Sequence, residues 1–207
     1  MAYRLKRSQS VAKGVKRVAR RELKKAAEQL RYGIAGEEPV HESRKSIKRV
    51  RALLRLIQDK LRPEYSRESS RLRQSGRALS PIRDAAALIT AFDRLVKRKK
   101  VGNRNVPSMR RGLVEHKTRV EEKSRLDELR AATARALEQT RKSVGSWKIK
   151  RDGFRIIQGG LEKAFRRGRK AMGAALKKPQ SRGPARMAQT CEGSLVSRPV
   201  TRGGHGL

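Results

Sequence analysis

The amphipathic pattern of this chain is clearest in residues 40–57, VHESRKSIKRVRALLRLI. At about 100° per residue, an apolar face and a basic face separate onto opposite sides of a helix. The apolar face holds Ile47, Val50, Leu53, Leu54 and Ile57. The basic face holds His41, Arg44, Lys45, Lys48 and Arg55, with Arg51 at its edge. The pattern predicts an α-helix from Pro39 to about Lys60, with Glu37 and Glu38 beside its positively polarised end.

The same periodicity predicts helices on both sides of this segment. These further helices cover about residues 8–31, 63–79, 81–98, 108–143 and 152–178. The last one carries, at helical spacing, Phe154, Ile157, Leu161, Ala164, Phe165 and Met172. Pro63 and Pro81 suit first helical turns, and Ser80 precedes Pro81 as an N-cap residue. The connection KRKKVGNRNVP (97–107) is a basic loop. Because no strand pattern appears, we predict an all-α fold, an antiparallel bundle of long helices.

A second basic face is predicted on the first helix, about residues 8–31. Its apolar arc holds Val11, Val15, Val18, Ala19 and Ala26. Its opposite arc holds Lys13, Arg17, Arg20 and Lys24. Like charges at this spacing cost an isolated helix about 0.2–0.5 kcal/mol per pair, so two such helices indicate an anionic partner that offsets the repulsion. The alternative is a cation-rich surface that only serves solubility. If the apolar arcs of the two helices pack together, we expect their basic arcs to share one surface or channel.

The charge balance narrows the choice of partner. Lys and Arg number 55 against 19 Asp and Glu, a formal net charge of +36 in 207 residues. Nucleic acid, inorganic polyphosphate and an anionic membrane surface could each neutralise it. Aromatic residues make up only 3% of the chain, which disfavours recognition by base stacking.

The single cysteine, Cys191, excludes an intrachain disulfide and a thiolate zinc site. Because neither a stretch of roughly 20 apolar residues nor a secretory signal is present, we expect a cytoplasmic protein.

His41 is the most informative side chain of the basic face. It is predicted in the first turn of its helix, where free backbone N–H groups and the helix dipole favour an anion. Imidazole ordinarily titrates close to neutral pH, so His41 is expected to donate to phosphate and to gain charge when phosphate binds. A surface or capping role is the alternative. Its alignment with Arg44, Lys45 and Lys48 favours anion binding.

Residues 41–56 follow the pattern H-x-x-R-K-x-x-K-R-x-R-A-L-L-R-L, and on these residues the chain resembles CHAD domains, the conserved-histidine α-helical family. Supporting likenesses are YRL and SVAKGVKRV (within 3–18), SPIRDAAAL (80–88) and FRRGRKAM (165–172). The resemblance covers about 1–178. It implies two four-helix bundles, related by pseudo-two-fold symmetry, that bind inorganic polyphosphate along a basic central channel. The residues it implicates are His41, Arg44, Lys45, Lys48 and Arg51, with Arg83 a weaker candidate.

The resemblance fails at the second His-x-x-Arg-Lys helix of the family. At that place the chain has PQSRGPARMAQTCEGSLVSRPVTRGGHGL (179–207), which is rich in Gly and Pro and is predicted to be a disordered tail. Neither His205 nor His116 reproduces the motif. We therefore expect a first bundle at about 1–98 and an incomplete second bundle at about 108–178, the result of truncation or of a change in reading frame.

We expect a non-catalytic module that binds inorganic polyphosphate through a basic helical surface or channel. The candidate binding residues are His41, Arg44, Lys45, Lys48, Arg51, Arg55, Lys13, Arg17, Arg20, Lys24 and Arg83. The alternative is a nucleic-acid-binding protein that uses the same charge without sequence preference. An enzyme acting on triphosphate or polyphosphate is disfavoured, because the acidic strands with which CYTH triphosphatase domains hold metal have no counterpart here. We expect no cofactor, no metal ion and no membrane span. The resemblance adds association with polyphosphate granules, and the oligomeric state is left open.

Overall fold

The computed structural model describes residues 9–33, 37–62, 64–98, 105–149 and 153–177. The α-helices of these ranges are α1 (Val11–Tyr32), α2 (Glu37–Leu56), α3 (Glu64–Ala78), α4 (Ser80–Lys97), α5 (Val106–Lys123), α6 (Leu126–Ser143) and α7 (Arg155–Lys177). Two short 3-10 helices follow α2 and α6, at Gln58–Lys60 and Val144–Ser146. Every regular element in the described ranges is helical, so the predicted all-α class is confirmed.

The chain divides into two units, one up to Gly160 and one from Leu161. The predicted division into a first bundle, a partial second bundle and a tail stays a prediction. The tail itself, 179–207, lies outside the described residues. Within the described part, no helix is both long and apolar enough to cross a membrane.

The apolar face of α2 lies in the core of the first unit. All five side chains assigned to this face from the sequence are buried. α1 packs antiparallel to α2: Ser43 donates to the Ala26 carbonyl at 2.9 Å, and Ser46, further along α2, donates to Glu22, further back in α1, at 3.0 Å. On its other sides α2 contacts α3 and α4. Each buried Val, Leu or Ile stabilises the fold by about 1.5–3 kcal/mol, so this face is a main reason why the helices associate.

α6 joins the first four helices by packing against α1 and α3. Its Ala134 and Leu137 are fully buried. Arg130, only 8% exposed, donates from Nε to the Leu30 carbonyl at 3.1 Å and from Nη2 to the Gly33 carbonyl at 2.8 Å. A helix leaves its last carbonyls without intrahelical donors, so Arg130 satisfies the C-terminal end of α1. The C-terminal end of α1 is therefore bonded by a side chain about a hundred positions later in the chain.

The single helix predicted for 108–143 is wrong, because the structure has two helices that separate at Ser124 and Arg125. Arg125 adopts a left-handed conformation (φ 45°, ψ 64°), and its N–H bonds the Glu122 carbonyl at 3.0 Å. After this break, α6 packs on α1, whereas α5 packs on α4. The sequence lacks the usual cue for this break: left-handed residues are mostly Gly or Asn, and Arg adopts this conformation at a cost of about 1–2 kcal/mol.

The limits of α2 also differ from the prediction. The helix begins at Glu37 instead of Pro39, and its α-helical bonding ends at Leu56, about four residues early. The Ile57 N–H is shared between the carbonyls three and four residues back, so the last turn tightens into the 3-10 helix. At the other end, His41 is the fifth helical residue. It lies beyond the four N–H groups that the start of a helix leaves unbonded.

α7 confirms the helix predicted for 152–178. The burial of its apolar side chains differs between its two ends. In the first unit, Ile156 is buried, and Gly160 packs so closely on α2 that a Cβ there would lie 2.5 Å from Leu56 Cα. In the second unit, four apolar side chains are exposed: Leu161, Phe165, Met172 and Leu176. Periodicity thus predicted the helix but not the exposure of its apolar arc.

Candidate functional site

A groove of about 520 Å³ lies along α1. All seven lining residues are Lys or Arg: Lys13, Lys16, Arg17, Arg20, Arg21 and Lys24 of α1, and Arg141 of α6. The structure therefore brings together the four cations predicted on α1, which are Lys13, Arg17, Arg20 and Lys24. Seven cations around one open cavity are an arrangement that suits an anion with several charges.

The spacing of the α1 cations follows the pitch of the helix. Lys13 and Lys24 are eleven residues apart, which at 1.5 Å per residue is about 16 Å along the axis. Arg17 and Arg20 lie between them on the same side of α1. The groove therefore presents donors along a line instead of around a point, which suits an extended anion.

Main-chain and side-chain acceptors hold several of these cations in place. Arg17 donates from Nε to Gln9 Oε1 at 3.2 Å, and Lys16 donates to the Gly145 carbonyl at 3.3 Å. Gly145 also leaves room for Arg20, since a Cβ there would lie 3.1 Å from an Arg20 Nη2. The 3-10 helix after α6 thus supports one side of the groove.

Arg141 enters the groove as one half of an ion pair. It donates from Nε to both carboxylate oxygens of Glu138 at 2.8 and 2.9 Å, and from Nη2 to Oε1 at 2.6 Å. The hydrogen bonds from Arg141 lower the pKa of Glu138, and the hydrogen bond to Glu138 raises the pKa of Arg141. Glu138 already offsets the charge of Arg141. On α1, Arg21 pairs with Glu22 and Lys24 pairs with Glu28, each at 3.6 Å.

His41 and Arg83 form a second contact among the predicted residues. Arg83, in the first turns of α4, donates from Nε to His41 Nδ1 at 3.1 Å, and both side chains are half-buried. His41 Nδ1 therefore accepts a hydrogen bond from Arg83. The expectation that His41 gains charge when phosphate binds stays a prediction.

Arg44 holds the junction between α3 and α4. Its Nη1 donates to the Gly76 carbonyl at 2.6 Å and to Ser80 Oγ at 2.7 Å. Ser80, predicted as an N-cap, is instead the first residue of α4, and its hydroxyl donates back to the Gly76 carbonyl at 3.1 Å. That carbonyl lies in the last turn of α3, where it lacks a donor within the helix. Arg44 therefore has a structural role that the sequence did not indicate.

Lys45 takes part in a link between α1 and α2. Glu42 accepts from Lys25 of α1 at 2.9 Å and from Lys45 at 3.0 Å. The hydrogen bond from Lys25, followed by that from Lys45, lowers the pKa of Glu42 to about 2. Part of the charge of the predicted basic face of α2 is thus neutralised by Glu42 at the protein surface.

The remaining predicted residues of α2 lie outside the groove. Lys48 and Arg55 are exposed and Arg51 is half-buried. No α2 residue lines the α1 groove. The expected common surface or channel of the two basic arcs stays a prediction.

Three groove residues were missed from the sequence. Lys16 and Arg21 flank the chosen arc of α1, and a wider arc would have included them. Arg141 could not be found in this way, because it reaches the groove only through the packing of α6 on α1.

In the described residues, no group of three or more His, Cys, Asp or Glu side chains is placed to hold a metal ion.

Comparison with known proteins identifies the family. The family model described as CHAD domain matches residues 16–189, which is most of the chain and extends into the segment predicted as a tail. No curated protein and no solved structure matched the chain. With this match and an all-helical fold, the chain belongs to the CHAD domain family.

Proposed function

We propose that this protein binds inorganic polyphosphate without changing it chemically. The observation that carries the proposal is the α1 groove, whose seven lining side chains are all Lys or Arg. Guanidinium groups bind phosphate oxygens in pairs and ammonium groups act as mobile point charges, so the set suits a chain of phosphates. Membership of the CHAD family supports the same ligand.

The groove favours phosphate over bases. None of its lining residues is aromatic, so it has no platform on which a base could stack. The single tryptophan, Trp147, is 1% exposed and belongs to the core. A nucleic acid would therefore bind mainly through its backbone, with little sequence preference.

The proposal includes the absence of catalysis. The groove-lining side chains supply no carboxylate that could hold a divalent cation at a phosphate, and the neighbouring Glu138 is engaged by Arg141. Release of inorganic phosphate from polyphosphate in the presence of Mg²⁺ would contradict this part. A cytoplasmic location and association with polyphosphate granules belong to the same proposal.

The test is a binding titration with polyphosphate of defined length and with duplex DNA, at matched ionic strength. We expect tighter binding of polyphosphate and displacement of prebound DNA by polyphosphate. Both affinities should fall with salt, because bound counterions return to the anion. If excess polyphosphate does not displace DNA, the nucleic-acid alternative replaces the proposal.

A further inference from the structure

The contact between His41 and Arg83 determines which ring nitrogen carries hydrogen. Arginine stays protonated in proteins, and its Nε–H can only donate. Arg83 Nε lies 3.1 Å from His41 Nδ1, so Nδ1 must provide a lone pair. A neutral imidazole has one N–H, which is therefore on Nε2.

We propose that Arg83 is a positioning residue that holds His41 in the neutral tautomer with hydrogen on Nε2. His41 then offers an uncharged N–H donor to a polyphosphate oxygen instead of a positive charge. This inference rests on the proposed function only for the identity of the ligand. The tautomer of His41 follows from the contact with Arg83 alone. A charged imidazole has no lone pair on Nδ1, so charging His41 would break the bond and place two cations about 3 Å apart.

A second contact, one turn away, fixes the register of α4 against α2. Arg44, three residues after His41, bonds Ser80, three residues before Arg83. Residues three apart on a helix lie on the same face, so the two contacts form a matched pair between antiparallel segments. Arg44 therefore places Arg83 opposite His41.

The geometry gives His41 a different role from the cations of the α1 groove. A lysine ammonium attracts an anion over several ångströms and from many directions. An N–H donor needs an oxygen within about 3 Å and in line. Fixing the tautomer therefore makes His41 a directional contact, whereas the cations of the groove attract an anion from a distance.

The first experiment measures the tautomer in the unliganded protein by ¹⁵N NMR of the imidazole side chains. We expect His41 to show hydrogen on Nε2 in the wild type and in R83K, which retains a donor. R83M should give a mixture of both tautomers. The control R94M removes an exposed cation from the same helix and should leave His41 unchanged. A wild-type Nδ1–H signal, or an R83M spectrum like that of the wild type, would overturn the proposal.

The second experiment is a double-mutant cycle of H41A and R83M, read as polyphosphate affinity with thermal unfolding as a check of folding. If Arg83 acts through His41, R83M should weaken binding at least three-fold more when His41 is present than in the H41A background. Equal effects in both backgrounds would mean that Arg83 contributes only its own charge, against the proposal. H41Q, whose amide nitrogen can replace Nε2, should retain more affinity than H41N. If the wild type binds no polyphosphate, the proposed function fails, and the NMR result still decides the tautomer.

Discussion

At the residue scale, two basic side chains of α2 have structural bonds. Arg44, which is half-buried, bonds the α3–α4 junction, and Lys45, which is exposed like Lys48 and Arg55, bonds Glu42. Replacing Arg44, Lys45 and Lys48 together would therefore mix losses of stability with losses of binding. The contributions of these three residues to stability and to binding are better measured with single substitutions.

We predict that R44A lowers the free energy of unfolding by about 1–3 kcal/mol, because it leaves the Gly76 carbonyl and the Ser80 hydroxyl without their charged donor. Urea denaturation followed by circular dichroism measures the change. The matched control is R55A, an exposed cation of the same helix, which should stay within about 0.5 kcal/mol of the wild type. Equal stabilities of R44A and R55A would contradict the structural role.

We predict a pH-dependent effect for E42Q. Lys25 and Lys45 lower the pKa of Glu42 to about 2 from 4.5, so the carboxylate stabilises the folded state above pH 4.5. The contribution is lost as pH falls from 4.5 towards 2, because the unfolded protein takes up a proton in this range and the folded protein does so only near pH 2. Both lysines are half-exposed, so the difference between wild type and E42Q should be about 1 kcal/mol at pH 7.

Urea denaturation of both proteins between pH 7 and pH 2 checks this prediction. The difference in unfolding free energy should shrink below pH 4.5. E115Q, which changes an exposed glutamate of α5, serves as the control. A difference that grows at low pH would show that the two ion pairs do not stabilise the fold.

At the scale of elements, α1 combines two roles on opposite sides of one helix. One side packs on α2 and α6, and the other side lines the groove. The helix accepts repulsion between neighbouring cations, which a bound polyanion would relieve. We expect α1 to stay helical when groove residues are replaced by alanine, because alanine has a higher helix propensity than the residues it replaces.

We predict that the triple variant K13A/R20A/K24A weakens polyphosphate binding by roughly 10- to 100-fold, at about 0.5–1 kcal/mol for each cation. The salt dependence of the affinity should become shallower, because fewer counterions are exchanged. Circular dichroism should show unchanged helix content. The control variant removes three exposed cations of α5: Arg111, Arg119 and Lys123. Equal losses in both variants would mean that binding depends on total charge and not on the groove.

At the scale of the whole molecule, the net charge of +36 opposes the compact state. The α1 groove gathers six cations of α1, and the packing of α6 adds Arg141 together with its partner Glu138. A ligand that binds only the folded protein should therefore raise its stability strongly. Thermal unfolding in the presence of polyphosphate therefore tests the proposed function.

We predict that polyphosphate at a hundred-fold excess over its Kd stabilises the protein by about 2.7 kcal/mol and raises Tm accordingly. Differential scanning calorimetry at constant ionic strength measures the shift. The triple groove variant should show a smaller shift at the same ligand concentration. A shift that inorganic sulfate reproduces at equal ionic strength would mean general screening and no specific site.

The sequence by itself determined most of the helices, the buried apolar face of α2 and four of the cations that line the groove. These features depend on spacing within one helix, and helical pitch turns spacing directly into position. Only the tertiary structure decided that Arg44 bonds the α3–α4 junction, that the helix breaks at Arg125, and that Arg141 completes the groove. Each of these depends on contacts between segments far apart in the chain, and no local pattern of residues encodes which segments will meet.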